Sequence, residues 1–120
     1  MASTTLLAPD QASALLLPDA AQYSDAGIVS RTVLQTDGLR VVRFAFAEGQ
    51  ELSTHTCRRR ALLQILRGTA EVLFAGSWHT LTEGSLLHLP PNHPHAVRAH
   101  AGPFTMLLTL GTEPTELSSS

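Results

Sequence analysis

Two segments of this sequence, 49–68 and 84–99, constrain its fold more than any other feature. Each begins with a glycine and carries a histidine, His55 in the first and His95 in the second. Short apolar runs flank both segments, and Gly, Pro or Asp residues separate those runs. This pattern is typical of strand pairs in a small antiparallel β domain. The sequence therefore predicts one small barrel with two imidazoles inside it.

Short runs rich in β-forming residues follow one another from residue 28 onward, and no convincing amphipathic helix accompanies them. Many short strands at regular spacing favour a sandwich or barrel of antiparallel strands, so we predict an all-β fold. Asp37-Gly38 favours a tight turn, and 67–69 predicts a hairpin between the runs on either side of Gly68. The predicted strands are 28–34, 39–47, 62–66, 70–74, 78–81, 86–89, 96–100 and 104–110.

The length of 120 residues fits a single domain with one core. Residues 1–27 mix small, polar and proline residues with one apolar patch, and we predict an N-terminal arm able to lend a strand. Residues 28–112 form the predicted barrel domain. Residues 113–120 are polar and end in three serines, which predicts a flexible tail.

Composition narrows the expected partners. Only 15% of the residues are charged and the formal net charge is −2, so there is no basic stripe for phosphates and we expect no nucleic-acid partner. No apolar run approaches the roughly 20 residues that span a bilayer, so we expect no membrane association. A single cysteine excludes an internal disulfide and favours a reducing compartment, which predicts a cytoplasmic protein.

The two segments match the spacing of a pair of family motifs, and the chain thereby resembles the cupin superfamily over residues 39–110. The resemblance implies a cupin-type jelly-roll β-barrel in a small single-domain protein. Matching spacing in two separate motifs is far more specific than a lone glycine pattern. The residues on the motif positions are Gly49, His55, Cys57, Ala61 and Gly68 in the first motif, and Gly84, Pro90, Asn92, His95 and Ala99 in the second.

Four motif positions depart from the family pattern, and one of them is Asn92, which stands where the second motif has Gly. Metal-binding cupins usually supply three His and one Glu, whereas this chain has Cys57 at the second His position and Ala61 at the Glu position. Ala99 stands where the second motif has Asn. Two neutral imidazoles without an anionic ligand bind a divalent ion weakly, so the first motif is degenerate for metal.

The candidate ligand-binding residues are His55, Gln64 and His95. A partial metal site would use His55, Cys57 and His95, with zinc, iron, nickel or manganese as the candidate ion. The alternative for Cys57, which we favour, is a small structural hydrophobe rather than a ligand. The alternative for Gln64 is an outward-facing residue, if no bulge resets the strand.

The four other histidines carry weaker predictions. His79 and His100 are predicted at the surface beside turns. His88 fits a structural role better than a place at the cavity mouth, and His93 lies in a proline-rich turn where solvent exposure is expected.

Three functions remain open at this level. The first is a small-molecule-binding cupin with a degenerate metal site. The second, implied by the resemblance, is a metal-dependent dioxygenase or isomerase using His55, Cys57 and His95. The third is a structural or sensory module that forms a homodimer through the apolar run 104–110.

Overall fold

A computed structural model of the chain describes residues 5–17 and 22–111. Within those residues the protein is built of strands and contains no helix, so no helix there is long and apolar enough to cross a membrane. Every strand pairing is antiparallel. The strands are β1 Val29–Gln35, β2 Arg40–Phe46, β3 Glu51–His55, β4 Ala61–Arg67, β5 Ala70–Phe74, β6 Ser77–Leu81, β7 Leu86–Leu89, β8 His95–Arg98 and β9 Phe104–Leu110.

The strands form two sheets that pack face to face. One sheet has five strands in the order β1-β2-β9-β4-β7, and the other has four in the order β3-β8-β5-β6. Side chains alternate between buried and exposed along β4, as a sheet with one face on the core requires. The predicted all-β jelly-roll fold is confirmed.

The space between the sheets is filled by apolar side chains from both inner faces. Phe46 of β2 and Phe104 of β9 are fully buried and stack with ring centroids 4.6 Å apart. Buried aromatic rings of this size contribute a large share of the hydrophobic stabilisation of a small domain. The remaining buried members of this core are Ala61, Leu63, Ile65, Ala70, Val72, Leu87, Leu89, Val97, Ala99 and Met106.

The strand β3 is absent from the predicted set because its sequence, Glu-Leu-Ser-Thr-His, contains a single aliphatic residue. Pairing with β8, rather than hydrophobicity, holds these residues extended. The turn predicted at Asp37-Gly38 does join the paired strands β1 and β2.

The hairpin predicted around Gly68 is wrong, since β4 and β5 belong to different sheets. Gly68 instead carries the chain from one sheet to the other with φ of +81°. A Cβ at this position would lie 2.5 Å from the carbonyl oxygen of Pro103, closer than atoms approach without a shift. Only glycine fits both the backbone angle and the space.

Asn92 precedes β8 and adopts φ of +64°, the left-handed conformation that the family motif normally assigns to glycine. Asparagine tolerates this region better than other side-chain-bearing residues, so the departure from glycine is physically consistent.

The N-terminal arm lies along β1. The backbone N–H groups of Leu6 and Leu7 donate hydrogen bonds to the carbonyls of Thr32 and Val33, at 3.2 and 2.7 Å. Residues 5–17 therefore run beside the sheet without forming an assigned strand. The predicted tail, 113–120, lies outside the described residues.

Candidate functional site

The strands β3 and β8 bring His55 and His95 together. The two residues are partners in the strand register, and their ring centroids are 4.2 Å apart with a 60° angle between the rings. The imidazoles are thus in direct contact, but His55 is exposed rather than inside the barrel as the sequence predicted. Both lie at one end of the four-stranded sheet, where β3 ends and β8 begins.

A β-bulge in β3 makes this contact possible. Leu52 pairs with Val97 and His55 pairs with His95, so residues 53 and 54 stand opposite the single residue between those partners. The extra residue turns His55 to the face that Leu52 shares, whereas regular alternation would have turned it outward. The bulge therefore decides which side chain meets His95.

Backbone carbonyls fix the proton on each ring. The Nδ1 of His55 lies 2.9 Å from the carbonyl oxygen of Ser53, and the Nδ1 of His95 lies 2.9 Å from that of His93. A carbonyl can only accept, so each Nδ1 carries the hydrogen and donates it. In the neutral rings, each Nε2 then holds a lone pair and can accept a hydrogen bond or bind an ion.

The two rings differ in exposure. His55 is exposed, whereas His95 is only 7% exposed. Burial lowers the pKa of His95 below its ordinary value, the proximity of His55 and His93 lowers it further, and the hydrogen bond to the His93 carbonyl partly opposes the shift. His95 is therefore neutral near pH 7 and available as an acceptor.

Neither Nε2 has a hydrogen-bond partner within residues 5–17 and 22–111, and neither is a buried atom sealed from solvent. Two adjacent acceptor atoms of this kind can receive donors from one small molecule.

Gln64 was predicted to bind the ligand together with His55 and His95, and the structure contradicts this prediction. It is exposed on the outer face of β4, while Ala61, Leu63 and Ile65 occupy the inner face. Strand β4 keeps a regular register from Ala61 to Ile65, and its register shift lies beyond Gln64, between Ile65 and Arg67.

Cys57 also fails to join the histidines in a three-ligand site. Strand β3 ends at His55, so Cys57 follows in a loop and does not share the strand face predicted for it. Its backbone carbonyl accepts a hydrogen bond from Asn92, and Cys57 lines a separate groove with Arg40 and Arg58.

The donor set does not fit the metal centre of metal-binding cupins. Across the described residues, no group of three His, Cys, Asp or Glu side chains surrounds a common point. The positions where the family places Glu and Asn hold the buried methyl groups of Ala61 and Ala99. Two imidazoles remain, and nothing here offsets the charge of a divalent ion. A metal-dependent enzyme centred on His55, Cys57 and His95 is therefore not supported.

Sequence reasoning placed His79 at the surface, and this prediction is wrong. His79 pairs with the buried Val72 across β5 and β6 and so faces the inner side of the sheet. Its ring stacks on Phe74 at 3.8 Å, and its Nδ1 is buried with no partner in the described part of the chain. The alternation that places Leu81 inward also places His79 inward, which was the available signal.

The remaining histidines have structural contacts. The Nε2 of His93 accepts a hydrogen bond from the backbone N–H of Ala75 at 3.2 Å. Arg60 donates to the Nε2 of His88 at 2.8 Å, on the outer face. His88 lies away from the histidine pair, whereas the proximity of the His93 ring contributes to the lowered pKa of His95.

The fold and the motif spacing together define a cupin-type barrel. The sequence profile of the AraC-like ligand-binding domain matches residues 41–118, and the chain belongs to this family. No curated protein shows significant similarity to it.

Solved structures of similar proteins support the same class. A conserved protein of unknown function from Streptococcus pyogenes is 27% identical with a TM-score of 0.77, covering 96% of this chain and 100% of its own. A cupin superfamily protein from Desulfitobacterium hafniense is 25% identical with a TM-score of 0.77, covering 92% and 100%. A cupin 2 conserved barrel domain protein from Leptotrichia buccalis is 30% identical with a TM-score of 0.75, over 80% of this chain and 46% of that one.

Proposed function

We propose that this protein binds a small molecule at the mouth of its barrel through His55 and His95, without a metal of the usual cupin kind. The observation that carries the proposal is the pair of Nε2 atoms, each left as an acceptor by a hydrogen bond from Nδ1 to the backbone. The match to a ligand-binding domain family supports the same role.

The ligand class follows from the acceptors. A molecule held by two neutral imidazoles must present hydrogen-bond donors, such as hydroxyl, amide or ammonium groups. Phe74 continues the inner face beside His95, because Leu73 and Ala96 are the preceding register partners. An aromatic ring at this position favours a ligand that also carries an apolar part.

The proposal is tested by thermal unfolding of the pure protein against a library of small polar molecules. A genuine ligand raises the midpoint in a saturable way. His55→Leu and His95→Leu should each abolish the shift, whereas His88→Leu, a histidine on the outer face, should retain it. Binding that survives both substitutions in the pair would contradict the proposal.

Metal analysis is the second arm of the same test. After equilibration with zinc, iron, nickel or manganese and removal of free ion, we expect no stoichiometric metal on the chain. One tightly held ion per chain, lost in His55→Leu, would instead establish a metal site.

We further propose that the chain forms a homodimer through the outer face of the five-stranded sheet. Leu86 of β7 is 65% exposed and Leu62 of β4 is 40% exposed on this face. In the register, Gln64 lies between Leu86 and Leu107, so apolar side chains flank it on both sides. Apolar side chains exposed on the face of a sheet favour association with a second copy. We also propose a cytoplasmic location, because a chain with a single cysteine forms no internal disulfide and suits a reducing compartment.

A further inference from the structure

A concave groove lies beside the loop that follows β3. It is formed by the end of β1, the start of β2, the end of β9 and residues 57–59, and its volume is about 380 Å³. We call it the arginine groove, and its lining residues are Gln35, Arg40, Cys57, Arg58, Arg59 and Leu110.

Three of the eight arginines of the chain line this one groove. Within the described residues, the side chains of Arg40, Arg58 and Arg59 make no ion pair or hydrogen bond. Other arginines of the same chain do have partners: Arg98 binds Glu71 at 2.6 Å, and Arg60 donates to His88. The groove therefore gathers three cations that have no partner among the described residues.

Like charges gathered in a concave site repel one another and raise the local positive potential. Gln35, Arg40 and Arg58 are exposed, so the groove is open to water and accessible to a dissolved ion. A guanidinium presents a planar fork of donors that matches the oxygens of a carboxylate or a phosphate. An oxyanion would offset the repulsion and supply the missing partners.

We propose that the arginine groove is an anion-binding site for a small carboxylate- or phosphate-bearing group, held by Arg40, Arg58 and Arg59. The site is separate from the histidine pair and does not depend on the proposed function. The short basic run 58–60, read alone, predicts only a solvated loop. The fold adds Arg40 from another strand and makes the run one wall of a groove.

The oxyanion has two available sources. One is a free molecule in solution. The other is the chain itself, because Leu110 lines the groove, the N–H of Gly111 donates to the carbonyl of Arg60 at 2.9 Å, and the sequence that follows contains Glu113 and Glu116. Both sources present the same chemistry to the arginines.

Calorimetric titration of the full-length protein with inorganic phosphate, at constant ionic strength set with chloride, tests the proposal. We expect saturable binding that the double variant R58Q/R59Q weakens by at least about tenfold, since two charge-assisted contacts are lost. Arg40→Gln provides a second variant outside the loop and should also weaken binding. Arg67→Gln, an exposed arginine on β4 away from the groove, is the matched control and should bind phosphate as the unmodified protein does.

The variant E113Q/E116Q separates the two sources. If phosphate binds the unmodified chain and E113Q/E116Q equally, the occupant is a free anion. If binding appears or strengthens only in E113Q/E116Q, the tail carboxylates occupy the groove. The proposal is overturned if neither protein binds phosphate, if R58Q/R59Q binds as well as the unmodified chain, or if Arg67→Gln weakens binding as much as R58Q/R59Q.

Discussion

At the scale of single residues, the chemistry of the histidine pair depends on the backbone carbonyls at positions 53 and 93. Each carbonyl lies two residues before its histidine and accepts the Nδ1 hydrogen at 2.9 Å. The contact orients the ring as well as fixing its tautomer, much as outer hydrogen bonds orient ligating histidines in metal sites. Both imidazoles are thus prepared to accept at Nε2 before any ligand arrives.

Burial of His95 predicts a pH dependence of stability. Its pKa is lowered in the folded protein, so between that value and the unfolded value of 6.5 the unfolded chain binds a proton that the folded chain does not. The free energy of unfolding should therefore fall as the pH drops below about 6.5. Urea denaturation at several pH values should show this slope reduced in His95→Gln and retained in His88→Gln. An unchanged slope in His95→Gln would contradict the assignment.

The sequence predicted which histidines form the site, but it did not predict the orientation of Cys57 and Gln64. The spacing of the motifs identified His55 and His95. The number of residues between each motif glycine and its histidine matches the family pattern even though other motif residues differ. The facing of Cys57 depends on where β3 ends, and the facing of Gln64 depends on the register of β4 with β7 and β9. Both features are set by pairing between distant parts of the chain, which the local sequence does not encode.

At the scale of elements, the connection between β4 and β5 is the most constrained part of the fold. The local sequence around Gly68 resembles a hairpin, yet the chain passes to the other sheet. Hairpin and crossover turns use the same residue types, so only the pairing of β4 with β9 and β7 distinguishes them.

Gly68→Ala should therefore be strongly destabilising. The positive φ alone costs a residue with a Cβ about 1–2 kcal/mol, and the approach of the Pro103 carbonyl adds about 1–3 kcal/mol. Gly76→Ala is the matched control, because Gly76 has φ of +86° but no atom within 4 Å of its added Cβ. Chemical denaturation should show a clearly larger loss for Gly68→Ala. Equal losses would show that the Pro103 contact is unimportant.

At the scale of the whole molecule, the two sheets differ in what their outer faces expose. The outer face of the four-stranded sheet carries the ion pair of Arg98 with Glu71, and Arg98 also stacks at 3.7 Å on Trp78, which is 40% exposed. The outer face of the five-stranded sheet exposes Leu62 and Leu86. The all-β class was predictable because runs of β-forming residues recur between turn residues, whereas this asymmetry depends on which strands become neighbours.

The asymmetry gives a prediction for assembly. Sedimentation at micromolar concentration should show a dimer that Leu86→Lys converts to a monomer, since a charge buried in an interface without a partner is costly. Leu39→Lys, at an exposed leucine in the β1–β2 turn, should leave the dimer intact. If the unmodified protein sediments as a monomer, the proposed dimer interface is contradicted.

The proposed binding site requires that His55 and His95 each carry a proton on Nδ1 and present Nε2 as an acceptor at pH 7.5. Long-range proton–nitrogen NMR of the imidazole rings measures this directly, because the chemical shifts of the two ring nitrogens distinguish both tautomers and the cation. We expect the Nδ1–H tautomer for both residues. A proton on Nε2 of either ring, or a charged His95 at this pH, would contradict the proposed binding site.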